Sequence, residues 1–364
     1  MSDLCREFEI SRKTGHKLWK RYKALGVAGL EDQSRAPKHI PHRTTNEAVE
    51  AIVAMRRRYP NWGPKKLKDV LEAELGHVFP ASSTIGDILR KRGFVSHRPQ
   101  RHRYVSRPTG LQQTQSANDV WCADYKGQFR LGDGSYCYPL TITDQHSRFL
   151  LACEGMGAIR EEQAREVFED VFRERGLPLA VRTDNGVPFA TTGLAGLSRL
   201  SVYWMLLGIQ HERIRPSHPE ENGRHERMHR TLKLETTRPA RANLLQQQEQ
   251  FDAFRDRFNT KRPHEALDMK RPAQVYTSSQ RPYPHALPEP SYPLHDDVLY
   301  ATKTGHLRVP GRGSVYIAGA LAGQPLGIRE ESDGKWLVSF LDLNLGHIAK
   351  SRTFEPFTLP PQGI

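Results

Sequence analysis

Leu179-Ala180-Val181-Arg182-Thr183-Asp184-Asn185-Gly186 is a short apolar run that passes directly into an acidic turn. An Asn-Gly turn can hold the preceding side chain at a strand's C-terminal edge, the edge where α/β sheets place their ligands. Taken alone, Asp184 also fits an ordinary Asx turn. Two further stretches set acids in polar, turn-rich surroundings beside apolar runs: Trp121-Cys122-Ala123-Asp124 and Glu221-Asn222-Gly223-Arg224-His225-Glu226. In a chain of formal net charge +13, three such carboxylates suggest a divalent-metal site facing a polyanion.

Outward from Asp184, the pattern predicts an α/β domain over residues 118–280. Trp121 to Phe129 reads as a strand, Gly132 to Ser135 as a hairpin turn, Tyr136 to Thr143 as a second strand and Arg148 to Cys153 as a third. Glu161 to Arg175 reads as a helix, with Ala164, Val167, Phe168, Val171 and Phe172 on its buried side and Gly176-Leu177-Pro178 closing it. Leu179 to Arg182 is the fourth strand. Three strands, a helix and another strand specify a mixed sheet with helices on its faces, in the order of the ribonuclease-H-like fold. Alternation points Asp124 to the same face as Cys122. A glutamine-rich helix is predicted from Asn243 to Phe258.

The charge is unevenly placed. Residues 1–110 hold 23 Lys+Arg against 11 Asp+Glu, and the remaining 254 residues hold 31 against 30. A basic N-terminal third beside a near-neutral remainder reads as a nucleic-acid-gripping module attached to a second machine. The alternative is a basic surface that is merely solvated.

Residues 1–36 outline a helix-turn-helix unit. Leu4 to Phe8 is a short helix, Glu9-Ile10-Ser11 a turn, and Ser11 or Thr14 the cap of a second helix that Gly26 ends. On that helix Leu18, Tyr22 and Leu25 share one face, while Arg12, Lys13, Lys17, Lys20 and Arg21 cover much of the rest and are the DNA-binding candidates. Glu9 stands where glycine is usual, and the unit reads as incomplete at its N-terminus. Residues 37–95 read as a second such unit. Thr44 and Thr45 precede Glu47 as a capping box, Pro64 opens a helix, and Ser82-Ser83-Thr84 caps another that ends in Arg90-Lys91-Arg92. Residues 96–117 read as a basic linker and 281–295 as a Pro-rich tether. Residues 296–357, with short alternating runs punctuated by glycine, read as a small all-β, barrel-like module.

No apolar run is long enough to span a bilayer, and the start Met1-Ser2-Asp3-Leu4-Cys5-Arg6 is not a signal peptide, which makes the cytoplasm, at the nucleoid, the expected location. Cys5, Cys122, Cys137 and Cys153 form no Cys-x-x-Cys pair, and the 16 histidines lack zinc-finger spacing. No membrane partner and no organic cofactor are expected.

Glu220 and Glu226 compete for the third acidic position. Pro216, Pro219 and Gly223 keep Glu220 in irregular chain, whereas Glu226 lies about one turn into a helix through Met228, Leu232 and Leu234. There Glu226, Arg230 and Lys233 fall at i, i+4 and i+7, which sets one carboxylate and two cations on a shared face. Such a face suits phosphate beside a metal, and equally an ordinary salt-bridged surface.

The set Asp124, Thr183-Asp184-Asn185-Gly186 and His218-Pro219-x-x-Asn222-Gly223-x-x-Glu226-Arg227 resembles the catalytic core of DDE transposases. More narrowly, it is similar to bacterial insertion-sequence transposases with a retroviral-integrase-like core, and Asn259-x-x-Arg262-Pro263-His264-x-x-Leu267 is typical of that group. The resemblance maps the family's triad onto Asp124, Asp184 and Glu226. The family's usual interval would select Glu220, since 35 residues separate Asp184 from Glu220 and 41 separate it from Glu226. The loop-like stretch Thr191 to Ser198 accounts for the difference, and Glu220 is kept as the minority candidate.

The resemblance implies a multidomain DNA transposase. Its three acids would hold two Mg²⁺ (or Mn²⁺) ions about 3.5–4 Å apart for strand cleavage and strand transfer. Asn185, Arg230 and Lys233 would position double-stranded DNA, both element ends and target, and paired ends imply a homo-oligomer on DNA. Two rivals are a non-catalytic DNA-binding regulator, such as a domesticated transposase, and a ribonuclease-H-like nuclease without strand transfer.

Overall fold

The computed structural model describes residues 1–32, 43–95, 111, 113–215, 218–311, 313–331 and 334–357. Most of the expected basic linker, 96–117, lies outside the described residues. The chain divides into two compact units, Met1–Val49 and Glu50–Ile364.

In the first unit, α1 (Ser2–Glu7) and α2 (Arg12–Leu25) are joined by a tight turn. Ser11 caps α2, its Oγ accepting from the Thr14 N–H at 3.1 Å. Glu9 has φ +48°, the left-handed conformation that glycine favours, so the turn keeps its usual geometry with an unusual residue. α1 packs close over Gly15, where a Cβ would collide with Cys5 Sγ. The predicted apolar face of α2 is only partly covered, because Tyr22 is 42% and Leu25 60% exposed.

Three more helices follow: α3 (Asn46–Arg58), α4 (Pro64–Leu75) and α5 (Ser82–Lys91). The Thr45 hydroxyl accepts from the Ala48 N–H at 3.3 Å, and Pro64 occupies the first turn of α4. At α5 the cap is Ala81, with no side-chain bond, so the serines predicted to cap the helix instead form its first turn. Trp62, Leu67, Leu71, Ile85 and Leu89 form the packed centre of this bundle. Within the second unit, α4 is tied to the chain after residue 260 by the Asp69–Arg271 ion pair at 2.7 Å.

The central domain is a mixed sheet. Its strands are β1 (Val120–Tyr125), β2 (Phe129–Arg130), β3 (Tyr136–Asp144), β4 (Leu150–Met156), β5 (Ala180–Thr183) and β6 (Gln210–Arg213). β3 pairs antiparallel with β1, β2 and β4, while β5 pairs parallel with both β1 and β6. The helices are α6 (Glu161–Arg175), α7 (Arg199–Leu206), α8 (Gly223–Thr236) and α9 (Leu244–Thr260). Strand alternation divides them between the two faces. Trp121, Ala123, Leu140 and Ile142 pack with Phe168 and Phe172 of α6 and Trp204 of α7. On the other face Cys137, Leu150 and Cys153 pack with Met228 and Leu232 of α8 and Phe251, Phe254 and Phe258 of α9. β6 was not foreseen. All four cysteines are buried free thiols.

The predicted Pro-rich tether is held against the central domain at its start, where Tyr283 and Tyr203 share a hydroxyl hydrogen bond of 2.9 Å. The last module contains β7 (Asp297–Tyr300), β8 (His306–Val309), β9 (Gly313–Tyr316), β10 (Pro325–Glu330), β11 (Trp336–Phe340), β12 (Leu343–Ile348) and β13 (Phe354–Pro356). The expected barrel is not formed. β13-β12-β11-β10-β7 make an open five-stranded sheet, and β8-β9 form a separate hairpin. The two sheets share a core of Leu307, Val315, Leu326, Val338 and Phe340 that also takes in Leu197 and Val202 of the central domain. Burial against a neighbour satisfies the apolar faces without closure. Among the described residues no helix is long and apolar enough to cross a membrane.

Candidate metal centre

β1 and β5 run parallel, with Cys122 opposite Arg182. Two residues further along each strand come Asp124 and Asp184, so the strand register alone sets these acids side by side. Asp184 follows the last residue of β5, and its Oδ1 accepts from the Gly186 N–H at 3.0 Å, the Asx-type turn that the sequence allowed. Asn185 donates from Nδ2 to the Ile214 carbonyl at 2.7 Å, tying this turn to the end of β6.

Asp124 lies on the α8 face of the sheet because its strand neighbours Trp121 and Ala123 point to the opposite core. α8 has two dissimilar faces. His225, Met228, His229 and Leu232 are buried against the sheet, whereas Glu226, Arg230 and Lys233 are exposed. The negative charges of Asp184 and Glu226 both reach Asp124. Burial first, then the Asp184 charge, push the Asp124 carboxyl up to about 7; Lys126 and the Tyr125 N–H oppose the rise, and Glu226 adds to it. Asp184 and Glu226 therefore act on Asp124 through their charge. The backbone of Glu220 falls in a short 3-10 turn, Pro219–Asn222, and its side chain lies outside the described residues. Its neighbour Glu221 is buried and structural, accepting from Arg215 Nε at 2.5 Å and from the Arg215 N–H at 2.8 Å.

Sequence reasoning passed over two histidines beside Asp124. The Thr141 hydroxyl donates to the Asp124 carbonyl at 3.1 Å and lies 2.8 Å from His225 Nε2 and 2.6 Å from His229 Nε2. A hydroxyl has a single proton, so both imidazoles must be the donors in those contacts. His225 Nδ1 is then free to accept from Thr143, 2.8 Å away. His229 Nδ1 is left as a bare acceptor 3.6 Å from Asp124 Oδ2. This approach is not an ion pair, because burial and the neighbouring His225 and Lys126 hold His229 far below the ordinary histidine range. Burial likewise pushes His225 down to about 3. Their spacing of four residues on a helix was the available signal.

A divalent cation fits this donor set. Asp124 offers a hard oxygen ligand, and a cation would offset the burial and the Asp184 charge that lift its carboxyl. Among the described residues the group whose candidate ligand atoms lie within 4.8 Å of one another is Asp124, His225 and His229, with both His225 nitrogens already engaged by threonines; Asp184 and Glu226 are not part of it.

The DNA-binding candidates separate into two groups. Lys13, Lys17 and Lys20 on α2 are exposed, whereas Arg12 donates to Ser2 Oγ at 3.1 Å and Arg21 to the Glu31 carbonyl. Arg230 and Lys233 are exposed on the same helix as Glu226.

Comparison with known proteins defines the class. Residues 114–219 and 207–272 match integrase core domain models, and residues 14–89 match a homeodomain-like domain. The chain carries an integrase core behind a helix-turn-helix region, as its resemblance to insertion-sequence transposases implied. Among its relatives is the uncharacterized 39.2 kDa protein of insertion element IS476 from Xanthomonas euvesicatoria, 26% identical over 271 residues, spanning 73% of this chain and 75% of that protein. The Gag-Pol polyprotein of baboon endogenous virus is 30% identical over 218 residues, which span 59% of this chain and 12% of the polyprotein. Similar solved structures include the HTLV-2 integrase catalytic core domain in complex with magnesium, at TM-score 0.36 and 15% identity, covering 45% of this chain and 100% of that one. The simian T-cell lymphotropic virus intasome in complex with PP2A regulatory subunit B56 gamma matches at TM-score 0.40 and 14% identity, covering 82% and 99%.

Proposed function

We propose that the chain is a DNA transposase that cleaves strands at element ends and joins them to target DNA in a divalent-metal-dependent reaction. The observation that supports this reading is the parallel register of β1 and β5, which sets Asp124 and Asp184 at matching positions, with Glu226 on the helix whose His229 faces Asp124. Asp124, Asp184 and Glu226 would hold the metal, Mg²⁺ or Mn²⁺, as a pair of ions. When bound, such ions polarise a phosphodiester and make water or a 3′-hydroxyl a better nucleophile at neutral pH. The protein's own part is positional. The strand register fixes the two aspartates relative to each other, and His225 and His229 fix α8 and with it Glu226. Arg230 and Lys233 line the exposed side of α8, where they would bind phosphates next to the reacting bond. Lys13, Lys17 and Lys20 would contact element-end DNA, and paired ends call for a homo-oligomer.

Glu226→Gln should reduce Mg²⁺-dependent cleavage and strand transfer of a pre-cut end into plasmid DNA to background, with DNA binding retained. Glu220→Gln should stay near wild type. The reverse pattern would move the third ligand to Glu220, and wild-type cleavage by both variants would sink the assignment. Nicked but unjoined plasmid from the wild-type protein would identify a nuclease without strand transfer.

A further inference from the structure

A cavity of about 410 Å³ opens between α4, the β3–β4 turn, α8 and the chain after α9. Lys66, Arg148, Arg224, Arg227, Arg262 and His264 line it. Its acidic residues do not balance them. Asp144 commits one oxygen to the Asn118 N–H at 2.8 Å and the other to Ser147 at 2.7 and 2.6 Å. Glu265 faces Lys65 at 3.3 Å. Arg262 is partly matched by Glu235 at 3.1 Å.

Buried donors remain unmatched here. Arg148 Nη1, Arg262 Nε and His264 Nε2 are shut off from solvent without a hydrogen-bond partner. Leaving such groups unpaired in the interior is costly. Arg148 also sits at φ +65°, a left-handed conformation that non-glycine residues rarely adopt. Strain of this kind persists where a side chain is needed in one place. The cations disturb one another as well. Burial and the charges of Arg262 and Arg227 bring Lys66 down to about 8, and burial with Arg224 brings Arg148 down to about 10.

We propose that this cavity is a phosphate pocket that grips one phosphodiester of the DNA strand entering the metal centre. The inference rests on the transposase reading for the identity of the strand. Continuity with the carboxylates argues for that occupant. His225 and Thr143 wall the cavity and also belong to the hydrogen-bonded floor beneath Asp124. Arg227 follows Glu226 directly on α8. A strand whose phosphate lies among Arg148, Arg224 and Lys66 would thus be held at the N-terminal end of α8, on a face adjoining the buried one and away from Glu226. Lys66 belongs to α4, so the helical bundle contributes to positioning the substrate and not only to recognising sequence.

Two binding measurements without divalent metal test the pocket. Inorganic phosphate, against chloride at equal ionic strength, should raise the melting temperature of the wild type and of Glu226→Gln by roughly 2–4 °C. It should leave Arg148→Gly and His264→Gln unmoved. Glycine relieves the backbone strain at 148, so that variant folds. For a duplex oligonucleotide, Arg148→Gly should bind about tenfold more weakly and lower the salt-dependence slope by about one. Arg148→Lys should recover most of both. Equal phosphate stabilisation of wild type and Arg148→Gly would overturn the pocket, and an unchanged duplex slope would overturn the DNA strand as its occupant. Neither assay depends on cleavage, so the pocket stands or falls separately from the catalytic assignment of Glu226.

Discussion

His229 Nδ1 stands 3.6 Å from Asp124 Oδ2, while the other nitrogen of the same ring lies 2.6 Å from the Thr141 hydroxyl. The histidine is a neutral spacer between β3 and the Asp124 carboxylate, the proposed metal ligand. Groups that orient metal ligands in this way typically contribute 10–100-fold to metal affinity or activity. His229→Leu, close in volume but unable to hydrogen-bond, should raise the Mg²⁺ concentration for half-maximal cleavage by at least about tenfold. His229→Asn should recover part of the loss. A metal requirement identical to wild type in the leucine variant would reduce His229 to a packing residue.

Asp124 makes stability depend on pH in an uncommon direction. Its carboxyl is held up to about 7, so the folded protein binds this proton more tightly than the unfolded chain does. The resulting stabilisation is complete below the ordinary carboxylate range and is lost as pH climbs through about 7. Asp124→Asn should therefore stabilise the metal-free protein at pH 8, by up to about 4 kcal/mol at the rate of 1.36 kcal/mol per unit, and have little effect near pH 4. Mg²⁺ should stabilise wild type but not the variant. Denaturant titrations at the two pH values read this directly, and a variant less stable at pH 8 would contradict it.

Glu212 of β6 accepts from Arg182 Nε at 2.9 Å and Nη2 at 2.7 Å, with the two side chains 11% and 4% exposed. Removing one partner of a buried pair leaves a charge uncompensated, at a cost of about 3–5 kcal/mol. Glu212→Gln should show that loss in equilibrium unfolding. A loss under about 1 kcal/mol would mean that the arginine finds another partner.

The same pair explains what the sequence concealed. Strands β1, β3, β4 and β5 and helix α6 announce themselves through apolar alternation or helical periodicity, and the β-β-β-α-β order follows from them. β6 reads Gln-His-Glu-Arg, yet its His211 and Glu212 are buried. It enters the sheet through a salt bridge and through the contact of His211 Nε2 with Thr183 Oγ1 at 2.8 Å, neither of which any hydrophobic pattern reports. α8 was legible through Met228 and Leu232, but half of its buried face is histidine. The open C-terminal sheets were misread as a barrel because closure depends on pairing between distant strands, not on the alternation within each. The three proposed carboxylates stand out through local turn chemistry and helix spacing. The cationic cavity gives no such local signal, since α4, the β3–β4 turn, α8 and the chain after α9 each contribute only one or two of its cationic residues.

Apolar faces tolerate rolling and sliding, because dispersion contacts have little directional preference. Hydrogen bonds do not. With His225 and His229 both fastened to threonines of β3, the angular phase of α8 is locked to the sheet, and the connection leading into the helix has no say in where residue 226 points. That connection can lengthen or shorten without disturbing the proposed site. Counting residues between acids is then a poor guide to which glutamate completes it, and the phase of the helix is the better one.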